Sequence, residues 1–145
     1  MTAYKLTEET KQINNLLLHR IELTEDCEWG KKGDKGGWIE KEINLTGDAW
    51  VSGDAWVSGD ARVSGNAQVF GDNWEQSPLQ IQGSKHYINE CKKDYLKIGC
   101  IEKSFTEWQE QFEEIGKQNE YTDEQIKEYE LYINLAIQLS NIKNK

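Results

Sequence analysis

From Leu45 the chain repeats itself every six residues, LTGDAW, VSGDAW, VSGDAR, VSGNAQ and VFGDNW, and a short-period repeat has to be recognised before any other element is assigned. The aliphatic position recurs at Leu45, Val51, Val57, Val63 and Val69, the small one at Ala49, Ala55, Ala61 and Ala67, and glycine at Gly47, Gly53, Gly59, Gly65 and Gly71. Ile39 and Ile43 extend the aliphatic series backwards. Each hexad alternates as a short strand, Val and Ala on one face, Ser and Trp on the other, and then turns at Gly-Asp or Gly-Asn, residues that tolerate corner conformations. Such strands are too short for a sandwich. Three hexads closing a triangular coil instead stack Val on Val and Ala on Ala every 18 residues, with successive coils about 4.8 Å apart. A set of ordinary hairpins would not keep five repeats in phase.

The aliphatic residue with a small one four places later resembles the hexapeptide-repeat left-handed β-helix family. The resemblance implies the handedness, which the general crossover rule would not favour. The expected fold class is therefore mainly β with α, a short left-handed parallel β-helix capped by an N-terminal β segment and a C-terminal helical hairpin. Expected segments are residues 1–37 as the N-terminal cap, 38–83 as the hexapeptide-repeat solenoid, 84–103 as a connection and 104–145 as the helical hairpin. From Trp38 to Trp74 there is length for only about two coils, so the flanks have to cap them. NNLLLHRIELT at 14–24 reads as a strand element, Trp29 to Trp38 as a glycine-rich loop, and Pro78-Leu79-Gln80-Ile81-Gln82-Gly83 as a last rung.

The C-terminal third changes period. Ser104-Phe105-Thr106-Glu107 is a capping box that opens a helix to about Ile115, with Gly116 placed to stop it. Thr122-Asp123-Glu124-Gln125 opens a second helix, with Tyr121 stapled to Ile126. Ile126, Tyr129, Ile133 and Ala136 fall at helical spacing, and Tyr132, Leu135 and Leu139 widen the apolar stripe. The hairpin is expected to lay one face on the solenoid and to keep the other acidic and wet.

The net charge of −9 disfavours direct attraction to nucleic acid or anionic lipid, while leaving a basic protein as a suitable partner. No segment approaches the roughly 20 apolar residues that span a bilayer, so no membrane association is expected. Cys27, Cys91 and Cys100 form neither a CxxC pair nor an even framework, which suits a reducing, cytoplasmic setting. His86, Cys91 and Cys100 lack zinc-ligand spacing, and the Asp48, Asp54, Asp60, Asn66 and Asp72 series suits turn capping rather than calcium. GKKGDKGG lacks the Walker spacing. No metal, cofactor or catalytic residue is expected. Hexapeptide acyltransferases resemble the repeat, but they use a histidine beside an acyl-donor groove, and His19 and His86 both lie outside the repeats.

The candidate binding face is aromatic. Trp38, Trp56 and Trp74 are spaced by 18 and 18 in the outward position and are expected to stack as a ladder, with Trp50 on a second face and Arg62 on the third. A column of indoles is too much apolar area to leave in water, so either the same chain covers it or a partner does.

The whole chain also resembles a group of phage and prophage proteins that share YKLT at 4–7, KKGDKGGWIE at 31–40, GDAWVSG-type repeats at 47–71, SPLQIQGSKH at 77–86, IGC at 98–100 and a tail rich in Trp, Glu and Tyr at 108–133. That resemblance implies a phage or mobile-element origin and carries no established activity. The expectation it supports is a non-catalytic accessory protein that binds and blocks a host target, a defence protein or a small nucleotide signal, in the bacterial cytoplasm. A self-assembling solenoid forming a homo-oligomer is the alternative, and an acyltransferase comes third.

Overall fold

The computed structural model describes residues 1–143 and divides into two compact units, Met1–Pro78 and Leu79–Lys145. In the first unit β1 (Tyr4–Ile13) and β2 (Leu16–Leu23) form an antiparallel hairpin around Asn14-Asn15, with Asn14 in the left-handed region at φ 55, where asparagine is tolerated. β2 pairs antiparallel with β3 (Lys35–Ile39). A 3-10 turn at Glu42–Asn44 leads into two-residue strands, β4 (Trp50–Val51), β5 (Trp56–Val57), β6 (Gln68–Val69) and β7 (Asn73–Trp74). β5 pairs parallel with β3 on one side and with β7 on the other, and β4 pairs parallel with β6.

The expected fold class is corrected by this topology. The chain is not a left-handed parallel β-helix with caps but a mixed α and β molecule, in which the long strands are antiparallel and parallel pairing is confined to two-residue pieces and one isolated bridge. The described residues form three sheets, β1-β2-β3-β5-β7, the pair β4-β6, and a separate antiparallel four-stranded sheet. The physical reason is the shortness of the repeat. Five hexads cannot bury a core and protect their edges alone, so the hydrogen-bonded framework comes from the 10-residue and 8-residue hairpin strands and from a second sheet.

Within that framework the spacing of the repeat is still visible. Trp38 pairs with Trp56, Trp50 with Gln68 and Leu45 with Val63, each 18 residues on. Ala49, Ala55, Ala61, Ala67, Val51, Val57, Val63 and Val69 are fully buried. At the corner formed by Gly47 the backbone is left-handed at φ 67, and a Cβ would come within 3.0 Å of Gly65 N, so only glycine fits that approach. Ile43 does not extend the series. It lies in the 3-10 turn and is 45% exposed, while its neighbour Asn44 is fully buried. The Asn44 amide donates to Gly59 O (3.1 Å) and Ala61 O (2.8 Å) and accepts from Lys41 N (2.8 Å), so its polar atoms are satisfied inside the unit.

The last hexad breaks step. Trp56 pairs with Asn73 and Val57 with Trp74, an offset of 17. Where every other hexad buries alanine, this one has Asn73, whose amide cannot enter a dry interior without partners. Asp72 takes the left-handed corner conformation at φ 68, and Asn73 is exposed. A slip of one residue exchanges the two faces of a strand.

The second unit is an antiparallel meander followed by two helices. β8 (Gln80–Gln82), β9 (Tyr87–Lys92), β10 (Tyr95–Ile98) and β11 (Ile101–Ser104) lie in the order β11-β10-β9-β8. The expected last rung at 78–83 is therefore β8, paired antiparallel to β9, and residues 84–103 hold three strands where a connection was expected. α1 (Phe105–Gln118) starts at the expected box, Ser104 Oγ accepting from Glu107 N at 3.2 Å and Glu107 Oε1 from Ser104 N at 3.1 Å. It runs past Gly116, which is buried against Tyr121 and Ile126 and does not end the helix. The stop comes at Asn119. Glu120 N donates to Lys117 O and Tyr121 N to Gly116 O around a left-handed Glu120 (φ 63), the double hydrogen bond of a Schellman end. α2 (Asp123–Lys143) follows a second box between Thr122 and Gln125. Ile88, Leu96, Trp108, Phe112, Tyr129 and Ile133 form the core of this unit.

Candidate protein-binding interface

The tryptophans read as a ladder are placed differently from one another. Trp38 and Trp56 are adjacent, 7% and 9% exposed, and packed with Leu18 and Ile13 of the β1–β2 hairpin. The Lys11 ammonium caps both rings, 4.7 Å from the centroid of Trp38 and 5.3 Å from that of Trp56, while the Arg20 guanidinium lies 5.5 Å from Trp38. The hairpin of the same chain covers this face. Trp74 leaves the column because of the one-residue slip. It is half-buried and its Nε1 donates to Gly71 O at 2.8 Å. Trp50 is buried at 3% exposure, with its ring where a Cβ on Gly36 would have to go. Arg62 is exposed.

Sequence reasoning passed over the cleft between α1 and α2. It has a volume of about 310 Å³ and is lined by Gln109, Asn134 and the carboxylates of Glu110, Glu113 and Glu130, over Trp108, Phe112 and Ile133, which are themselves almost fully buried. Helical spacing builds it. The buried face of α1 runs through Phe105, Trp108, Phe112 and Gly116, so Glu110 and Glu113, three residues apart, stand together at its edge. Glu113 makes an exposed pair with Lys117 at 3.2 Å, which contributes little, and neither Glu110 nor Glu130 has a cationic partner among the described residues. The arrangement offers a cluster of carboxylates in a polar cleft, which suits the charged head of a lysine or arginine side chain.

The second unit also holds a tightly bonded loop. Tyr129 OH accepts from His86 N at 2.6 Å and Lys85 N at 3.1 Å and donates to His86 O, and Glu128 accepts from Ser84 N at 2.9 Å and Tyr132 OH at 2.7 Å. These bonds hold the Glu128 carboxyl below its ordinary value, Ser84 first and Tyr132 next. His86 Nδ1 lies 2.6 Å from Tyr121 OH, and burial raises that phenol above its usual range, so it stays protonated. The small cavity beside them, about 40 Å³, has room for a few waters at most. Its partners are already used internally, so the loop serves as a structural clamp.

Cys91 is buried, and burial pushes its thiol up to about 12, whereas Cys27 and Cys100 are exposed. Among the described residues no three His, Cys, Asp or Glu side chains are gathered so as to hold a metal ion, and no helix is long and apolar enough to cross a membrane. Compared with known protein families and with curated proteins, the chain matches none.

Proposed function

We propose that this is a non-catalytic phage or prophage accessory protein that acts in the cytoplasm of the host cell, where it binds and blocks a basic host protein, a defence component of the kind that grips nucleic acid. The observation that carries this reading is the α1–α2 cleft, where Glu110, Glu113 and Glu130 gather and where, among the described residues, Glu110 and Glu130 have no ion-pair partner. The net charge of −9 supports it, since a field of that sign speeds encounter with a nucleic-acid-binding surface. The resemblance of the motifs from YKLT at 4–7 to the tail at 108–133 to those of phage and prophage proteins supports that biological setting. A nucleotide signal is the poorer target, because the same carboxylates would repel its phosphates.

Plating a phage with and without the gene, on strains carrying different defence systems, tests the reading. The wild-type gene is expected to raise plating on at least one strain, and Glu110→Lys combined with Glu130→Lys to abolish that rise while leaving the melting curve of the purified protein unchanged. Both side chains are exposed, so folding does not depend on them. No rise on any strain, or full activity of the double variant, would overturn the proposal.

A further inference from the structure

The β1–β2 hairpin is a ladder in two parts. Its register breaks between Leu6, opposite Ile21, and Thr10, opposite His19, so Thr7, Glu8 and Glu9 of β1 face Arg20 alone. A bulge of this kind bends the strand and re-aims what lies beyond it. Within it a hydroxyl takes the place of ladder bonds, Thr7 Oγ1 donating to Arg20 O at 2.9 Å and accepting from Glu9 N at 3.2 Å. Past the bulge the arm leaves the sheet, since the last pairing of β2 with β3 is His19 with Ile39, where β3 ends. Among the described residues, 10–18 have no strand partner outside the hairpin and no side-chain hydrogen bond or ion pair to the rest of the unit. Packing holds this arm down, Ile13 and Leu18 against Trp38 and Trp56, with the Lys11 ammonium over both rings. That seal is imperfect. The Nε1 atoms of both tryptophans are buried without an acceptor, so closing the arm leaves two donors dry and opening it returns both to water.

We propose that residues 10–18 are a lid, which swings on the bulge in β1 and on His19 in β2 and uncovers Trp38 and Trp56 together. The arm keeps its own ladder as it lifts, so it gives up only the Ile13–Leu18 layer and the Lys11 contact. The sheet beneath keeps its bonds, because Trp38 N donates to Ala55 O and Glu40 N to Val57 O, both at 3.0 Å, on the side away from the hairpin. Hydration of two indole N–H groups offsets part of the lost packing. Lifting the arm is therefore a local opening, reached well before the sheet unfolds. The device makes exposure of the aromatic pair conditional on the position of one hairpin.

Indole N–H exchange, followed by nuclear magnetic resonance on the intact protein at pH 7, reads the lid, since each ring carries its own reporter beneath the arm. The main-chain N–H groups of the same two residues, bonded to Ala55 O and Asp72 O, report unfolding of the sheet. Both indoles are expected to be protected equally, and less than the main-chain groups by about tenfold or more. Their exchange is expected to rise with urea, but less steeply than that of the main chain, because the lid exposes less surface than unfolding does. Val69→Ala, which weakens the buried interior of the repeat, is expected to speed the main-chain groups about tenfold and to leave the indoles unchanged. Ile13→Ala, in the arm itself, is expected to speed both indoles by one common factor of about three to ten. Indoles as protected as the main chain, or quickened by Val69→Ala, would show that unfolding alone uncovers the rings and would overturn the proposal. Exchange without any urea dependence, or unmoved by Ile13→Ala, would overturn it too, since water would then reach the rings through a closed arm.

Discussion

Trp56→Phe is expected to leave the protein as stable as before or more so, although it shrinks a buried ring. The Nε1 atoms of Trp38 and Trp56 are buried without a hydrogen-bond partner, whereas Trp108 Nε1 donates to Leu96 O at 2.9 Å. A buried donor with no acceptor forfeits about 1–3 kcal/mol of hydration. Phenylalanine removes that donor and leaves a cavity of about 40 Å³, which at about 24 cal/mol per Å³ costs about 1 kcal/mol. The net change for Trp56→Phe therefore lies between about zero and a gain of 2 kcal/mol. Trp108→Phe carries the same cavity cost but also loses a hydrogen bond and strands the Leu96 carbonyl, for a loss of about 2–4 kcal/mol. Trp56→Ala removes the whole ring from beneath Leu18 and Lys11 and is expected to cost about 2–4 kcal/mol, less than a tryptophan with a bonded N–H. Urea unfolding followed by far-ultraviolet circular dichroism measures all three against the wild type. If Trp56→Phe destabilised as much as Trp108→Phe, the unmet indole N–H would not be a real cost, and the reasoning would fail.

One further substitution and one reactivity test other buried groups. Asn44→Ala strands the carbonyls of Gly59 and Ala61 and the N–H of Lys41, and a loss of about 2–4 kcal/mol is expected in the same urea assay, with a loss under 0.5 kcal/mol counting against the buried-amide account. Thiol labelling at pH 8 is expected to modify Cys27 and Cys100 in the native protein and Cys91 only after unfolding, because the buried thiol, with its pKa pushed up to about 12, supplies almost no thiolate at that pH; prompt labelling of Cys91 in the native state would contradict its burial.

Local rules written into the sequence survive intact. The period of six put Val57, Val63 and the four alanines at the inside positions where they are found, because alternation along a strand is a property of the chain itself. The capping boxes at Ser104–Glu107 and Thr122–Gln125 also form, since they need only residues three apart. Residues 84–103 were legible in principle. Tyr95-Leu96-Lys97-Ile98 followed by Gly99-Cys100 and Ile101 carries strand residues around a turn, with Gly99 left-handed at φ 60. The conspicuous repeat beside it drew the segment into a connecting role.

Tertiary structure decided what the strands pair with and which surfaces remain open. Hexad spacing is silent on how much antiparallel sheet surrounds the repeat, so the mixed architecture had to come from the hairpin and the meander. Whether the tryptophan face meets water depends on a hairpin earlier in the sequence, which brings Leu18 and Lys11, 20 and 27 residues before Trp38, over Trp38 and Trp56. Trp74 shows the same limit at a single residue. Its spacing of 18 was right in the sequence, but burying Asn73 would have cost more than shifting the strand by one, and that balance exists only where a neighbouring strand and a dry interior are already in place.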